Sequence, residues 1–255
     1  QKLEKVITKK TKAIIPVYLS GRISNMFKIN KIAKKYKIPV IEDAAQAIGS
    51  KYFKKPSGSI GDIGCFSAHP LKNLNAIGDS GFITTNNKMI YEKIVELRNH
   101  GMVKRDRINN FGYVSRMDNL QATVLNFRLR NLNKIIVKRR KNFENYKKYL
   151  NRNFVYFPDE EKNQYNSYHT FVVQVKKRDK LKKYLKTKNI DTAIHYPIPI
   201  HLQPASKYLG YKKGDFKYAE SQSKKILTLP INQFLKETEI KYISDKINYF
   251  FEKNL

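Results

Sequence analysis

The stretch that most restricts the fold runs from Val40 to Gly81, VIEDAAQAIGSKYFKKPSGSIGDIGCFSAHPLKNLNAIGDSG. Two short apolar strands are expected here, Pro39 to Ile41 and Ile63 to Phe66, and each runs at once into polar residues that a buried strand does not need. The first ends in Glu42 and Asp43, the second in Ser67, with Lys72 a few residues on. In an open parallel sheet, ligands sit in the crevice at the carboxyl ends of the strands. A carboxylate, a hydroxyl and an amine can then face one pocket.

The flanking sequence supports such a sheet. Ala13 to Leu19 reads as a strand, and Met26 to Lys37 has helical apolar spacing at Met26, Ile29, Ile32, Ala33 and Tyr36 before the strand at Pro39. This strand–helix–strand spacing implies parallel pairing covered by helices. After a loop at Gly58 to Ile63 come the second strand and another at Phe82 to Thr85. Asn87 then caps a helix through about Asn99 that ends at Gly101. Gly78, Asp79 and Gly81 read as a tight turn that needs positive φ.

From Met117 to Leu150 the pattern predicts a long helical stretch with Leu120, Val124, Phe127 and Leu132 on one face. Past the Pro158 loop the character changes. A strand is expected at Thr170 to Val175, a helix at Asp179 to Lys188 and a strand at Ile190 to Ile194, which leads into HYPIPIHLQP. Helices are expected at Tyr218 to Leu227 and Glu237 to Phe251. The expected organisation is an α/β domain over residues 1–150, with a mostly parallel sheet, and a smaller α+β domain over 151–255.

The formal charge of +30 raises the question of nucleic acid. The lysines, however, are spread from Lys2 to Lys253 among many Asn, Ile and Tyr, a pattern of A/T-rich codon use and solvated helix faces rather than a binding stripe. No helix-turn-helix pattern stands out. No nucleic-acid partner is expected, although an anionic substrate benefits from the field. No apolar run approaches the roughly 20 residues of a membrane span. Cys65, the single cysteine, has no partner for an internal disulfide, so a cytoplasmic, membrane-free protein is expected.

The chemistry of the Val40 to Gly81 stretch narrows the function. A carboxylate at a strand end can pair with a protonated pyridine nitrogen, and a lysine in the same crevice can condense with an aldehyde. Those are the two protein groups that pyridoxal phosphate (PLP) needs. Ser67 adds a hydroxyl suited to a phosphate oxygen. By themselves these residues also suit a helix cap, a surface acid or a surface lysine.

The blocks VIEDAAQAIGSKY, GSIGDIGCFSAHPLKNLNAIGDSGFITT, LRNHG, FGYVSRMDNLQA and IHYPIPIHLQPA resemble the DegT/StrS-type nucleotide-sugar aminotransferases, PLP enzymes of fold type I. They follow the family's order over nearly the whole chain. The resemblance implies an aspartate-aminotransferase-like fold and assigns Lys72 as the catalytic lysine that bonds to the cofactor and then shuttles a proton. It places Asp43 on the pyridine nitrogen, Gln46 on the cofactor's phenolic oxygen, Ala45 against the ring and Ser67 on the phosphate. His195 and Tyr196 are candidate substrate contacts, and His69 packs beneath the lysine. His195 and His201 lack a nearby third ligand, so no metal is expected.

The implied reaction takes an amino group from glutamate and places it on a keto group of a nucleotide-linked deoxysugar, in a homodimer, for cell-surface glycan or lipopolysaccharide. Relatives that dehydrate their sugar replace the lysine with histidine, so Lys72 argues against a dehydratase. Two departures raise the alternative of a catalytically silent member. Val114 stands where relatives carry an Asn that reaches the cofactor phosphate across the dimer, and valine cannot donate a hydrogen bond. Relatives also have roughly a hundred residues before the point matching Gln1, the size of a small domain. On that comparison the chain looks like a fragment lacking part of the large domain, and is expected to bind PLP poorly alone.

Overall fold

The computed structural model describes residues 2–253. It divides into two compact units, the first built from the residues up to Ile136 with Glu160–His169, the second from Val137–Asp159 and the residues from Thr170 on.

In the first unit, helix α1 (Met26–Tyr36) starts where the Asn25 side chain accepts from Lys28 N and stops where Lys37 turns left-handed at φ 54°. Its buried face is Met26 and Ala33, while Tyr36 is 40% exposed. Strand β1 (Ile41–Asp43) pairs in parallel with β2 (Ile63–Ser67), Ile41 against Ile63 and Asp43 against Cys65. Strand β3 (Gly81–Thr84) runs antiparallel on the far side of β2, with Gly81 opposite Ser67.

The strand expected at Ala13 to Leu19 is reduced to single parallel bridges, Ile14 to Val40 and Val17 to Asp43. Pro16 has no N–H, so its carbonyl alone serves the ladder by accepting Asp43 N. The chain still runs beside β1, and the expected parallel arrangement across α1 is formed.

Helix α2 (Lys88–Leu97) is capped as expected, with Ile90 N donating to Asn87 Oδ1 at 3.2 Å. The long helical stretch is two helices, α3 (Asn119–Leu129) and α4 (Leu132–Tyr149). Between them Asn131, a residue type favoured at helix starts, accepts Ile135 N with its carbonyl. The predicted apolar face is corrected too. Leu120 and Phe127 are 65% and 66% exposed, whereas Leu125 and Leu132 are buried.

Two apolar clusters form the core of this unit. One gathers Ile14, Tyr18, Ile23, Met26, Ala33, Val40, Ala44, Ala47 and Tyr52 under β1 and α1. The other packs Ala68, Leu74 and Ala76 against Leu125, Leu132 and Ile136. Each large aliphatic side chain so buried contributes about 1.5–3 kcal/mol, so the loop after β2 is held to α3 by apolar contact as well as by hydrogen bonds.

In the second unit β4 (Val155–Tyr156), β5 (Phe171–Val175) and β6 (Ile226–Leu229) form an antiparallel sheet with β5 central. Phe171, Val173 and Val175 point to the buried side, the alternation of a half-covered strand. Helices α5 (Arg178–Thr187), α6 (Lys217–Ser223) and α7 (Glu237–Glu252) complete it. Two expectations fail here. Ile190 to Ile194 makes only one bridge, Ala193 to Thr228, and the helix expected through Leu227 ends at Ser223. The segment Ile226–Leu229 becomes a strand because pairing with β5 buries Leu227 and Leu229 almost completely.

Candidate active site

Asp43 ends β1 and is paired in parallel with Cys65 of β2. Paired residues point to one side of a sheet, and so do residues two apart on a strand, which puts Asp43, Cys65 and Ser67 on one face. Burial, aided by the Asp43 charge, pushes the Cys65 thiol up. Burial also lowers the Lys72 amine, and the Asp43 charge opposes that lowering. The carboxylate and the amine are therefore within electrostatic reach of each other.

Glu42 faces the other way. The sequence groups it with Asp43 as a strand-end carboxylate, but it is fully buried and accepts four hydrogen bonds. Ile60 N and Gly61 N donate to one oxygen at 2.6 and 2.5 Å, and Gly58 N and the Tyr18 hydroxyl to the other at 2.7 Å each. Its role is to tie the loop before β2 to β1.

Past β1 the chain turns sharply. Ala45 N donates to Asp43 Oδ1 at 3.1 Å, a local turn of the kind Asp favours, and this fixes the carboxylate relative to Ala45 and Gln46. Gln46 Oε1 accepts Ser20 N at 2.7 Å. A backbone N–H can only donate, so the amide's oxygen is committed and its NH2 group is the end left to donate to a ligand.

Behind Gln46 lies a buried polar hub that the sequence reading did not include. Ser50 Oγ donates to Gly21 O at 2.6 Å and meets Ser167 Oγ at 2.9 Å, while Asn73 Nδ2 donates to Ser167 O at 3.0 Å. Gly21 sits at φ 89°, and a Cβ there would lie 2.5 Å from Ser167 Oγ. Gln46 and Lys72 are thereby tied to one rigid piece through their neighbours. The pattern SGR at Ser20–Arg22 held the only sequence hint, a glycine after a strand.

Lys72 stands on the loop after β2, which closes on itself through Ala76 N to Ala68 O at 2.8 Å. Lys72 N donates to His69 O at 2.9 Å. His69 Nδ1 accepts Leu71 N, so its neutral ring carries the proton on Nε2, 3.9 Å from Asp79 Oδ1. Ser67 Oγ accepts His69 N at 3.3 Å and keeps its own proton to give. The positive-φ turn expected at Gly78 and Gly81 is corrected, since neither has positive φ. Glycine is needed for close approach at Gly81, where a Cβ would lie 2.6 Å from the backbone oxygen of Phe66, whereas at Gly78 it would meet only the movable end of the Gln121 side chain at 2.8 Å.

The donor set fits pyridoxal phosphate. Its members are a partly desolvated amine, a carboxylate with the small Ala45 beside it, an amide whose NH2 end is left to donate, and a hydroxyl. Candidate substrate residues His195 and Tyr196 belong to the second unit. His195 Nδ1 lies 2.8 Å from Thr228 Oγ1, burial lowers its basicity, and Tyr196 is 58% exposed. Val114 is exposed and bridges Asn99. Among the described residues no three His, Cys, Asp or Glu side chains are grouped to hold a metal.

A carboxylate at the end of a parallel strand and an amine within its electrostatic reach are the two protein groups that pyridoxal phosphate chemistry needs, on a sheet of the kind found in PLP-dependent transferases of fold type I. Comparison with known proteins agrees and goes further. The chain belongs to the DegT/DnrJ/EryC1/StrS aminotransferase family, whose model matches residues 1–248. It is similar to the pleiotropic regulatory protein of Geobacillus stearothermophilus, 40% identical over 252 residues that cover 98% of this chain and 68% of that protein. The dTDP-3-amino-3,6-dideoxy-alpha-D-galactopyranose transaminase of Aneurinibacillus thermoaerophilus is 39% identical over 249 residues, 98% of this chain and 68% of its own. Among solved structures, S. venezuelae DesV in complex with a ketimine intermediate superposes with a TM-score of 0.94 at 32% identity, covering 97% of this chain and 67% of that one. The chain thus spans about two thirds of the length of the proteins it matches.

Proposed function

We propose that this protein moves an amino group from glutamate to the keto carbon of a nucleotide-linked deoxysugar, as a cytoplasmic homodimer, in the making of a cell-surface glycan or lipopolysaccharide. Support comes from relatives named as transaminases of dTDP- and UDP-linked sugars. The observation that carries the reading is the half-buried Lys72 amine in electrostatic reach of Asp43. Exposed apolar side chains at Phe111, Tyr113, Leu120 and Phe127 favour a partner subunit.

When bound, pyridoxal phosphate supplies an aldehyde carbon that accepts the amino group and a ring that withdraws electrons from the reacting carbon. Lys72 Nζ would hold it, Asp43 would pair with its ring nitrogen, the Gln46 NH2 with its ring oxygen, Ala45 with its flat face and Ser67 with its phosphate. Burial favours the neutral form of Lys72. Nζ can then take a proton from the substrate carbon that carries the nitrogen and release it on the carbon that receives the amine. Asp43, at the end of β1, would stabilise positive charge at the ring nitrogen. An amine rather than an imidazole at position 72 favours transfer over dehydration. His195 and Tyr196 are kept as candidate substrate contacts.

The test mixes the protein with PLP, glutamate and a panel of keto-sugar nucleotides and follows the cofactor's absorbance. Slow conversion by the native chain and none by Lys72→Ala is the expected result. Conversion that persists in the variant removes Lys72 from its role.

A further inference from the structure

The loop that carries Lys72 is gripped from α3 by side chains at helical spacing. Gln121, Leu125 and Arg128 stand at i, i+4 and i+7, which places them on one stripe of that helix. Each meets the loop differently. Gln121 Oε1 accepts Ile77 N at 2.9 Å. Leu125 shares the buried cluster of Leu74 and Ala76. Arg128 Nη1 donates to Asn75 O at 2.6 Å and lies 3.4 Å from Ala76 O.

The backbone from Asn75 to Ile77 thus gives two carbonyls and one N–H to two side chains of a single helix turn pair. The end of the Gln121 side chain also lies against Gly78, where a Cβ would stand 2.8 Å from its Nε2. On the other side Asn73, 4% exposed, anchors the same loop to Ser167. Lys72 is the residue next to that anchor, and Leu71 before it is 76% exposed. The lysine thus takes its place from the His69 carbonyl before it and from these fixed points after it.

We propose that Gln121 and Arg128 are positioning residues for Lys72, acting through the backbone of residues 75–77 and touching no substrate. This rests on the reading of Lys72 as the reacting amine, but its test needs no cofactor. A loosened loop lets Lys72 swing into water, which removes the desolvation that lowers its proton affinity, while Asp43 on β1 remains as the opposing charge and His69 and Asp79 remain on the loop.

The experiment uses the whole chain with 13C-dimethylated lysines, the Lys72 signal being assigned by Lys72→Arg, together with amide hydrogen exchange of peptides covering residues 72–78. In the native chain Lys72 should titrate below the surface lysines. Arg128→Gln and Gln121→Ala should each speed exchange of the loop roughly tenfold, about the worth of one hydrogen bond. Both should move the Lys72 midpoint up toward the surface lysines, and Arg128→Lys, which keeps a cationic donor, should restore much of it. Faster exchange with an unmoved Lys72 midpoint would make the contacts merely structural and overturn the proposal. So would a native Lys72 that titrates with the surface lysines. Failure of the aminotransferase reading would show instead as absent conversion of keto sugars, with these two readouts unchanged.

Discussion

Replacing Glu42 with Gln tests how the sheet end that presents Asp43 is held. The side chain is fully buried, and its two oxygens accept three backbone N–H groups and the Tyr18 hydroxyl. The substituted amide would keep one oxygen for Ile60 N and Gly61 N, but its NH2 would face Gly58 N and Tyr18. The hydroxyl can rotate to accept, whereas the Gly58 amide is left without an acceptor. Losing the charge assistance on the bonds that remain and orphaning one buried donor costs about 3–5 kcal/mol. For a chain of this size that is roughly a 10 °C fall in the melting midpoint, at about 2–4 °C per kcal/mol. Tyr18→Phe removes one donor from a carboxylate that keeps three, so it should cost only about 1–2 kcal/mol. Thermal and urea unfolding of both variants decide the matter. A Glu42→Gln loss under about 1 kcal/mol, or one smaller than that of Tyr18→Phe, would refute the account of this buried charge.

Gly21→Ala should destabilise by about 2–4 kcal/mol from left-handed strain and collision with Ser167, and adding Ser167→Ala should recover part of it in the same melts. Lys72→Met should raise the melting midpoint at neutral pH, because burial lowers the Lys72 amine below its unfolded value. Between the lowered native value and the ordinary lysine value the unfolded state binds more protons, so native stability climbs with pH through that range and the variant's advantage shrinks there. Melts across pH 7 to 10 check this, and an advantage constant with pH would count against it. Glu220 is held low chiefly by Gly214 N–H, with His201 Nε2 at 3.0 Å as a further partner. Its depressed value means the stabilisation is complete above about 4.5 and is lost as pH falls below that. Proteolysis around residues 211–216 should therefore rise in acid for the native chain, and Glu220→Gln should flatten that dependence.

What the sequence could place of the candidate site is local. Asp43, Ala45 and Gln46 fall in one turn after a strand whose apolar run stops abruptly, and Asn87 caps its helix as its residue type suggests. The misreadings came where tertiary partners decide. Ile226–Leu229 has a helix-compatible composition but gains a strand partner in β5. Leu120 and Phe127 have the periodicity of a buried face, yet Leu125 fills the core and the polar Gln121 and Arg128 grip the lysine loop. Glu42 and Asp43 look alike in sequence, and only the two-residue alternation of β1 separates the buried structural carboxylate from the one on the candidate-site face. The hub of Ser50, Asn73 and Ser167 joins residues up to 117 positions apart, a distance no local pattern encodes.

The central claim is that one amine among the many of this lysine-rich chain is placed to bond the cofactor. Incubating the protein with pyridoxal phosphate, reducing with borohydride and mapping the label by peptide mass spectrometry tests it directly. The label should sit on Lys72 and vanish from that peptide when Asp43 is replaced by Ala. A label scattered over surface lysines, with Lys72 no richer than the rest, would contradict the account.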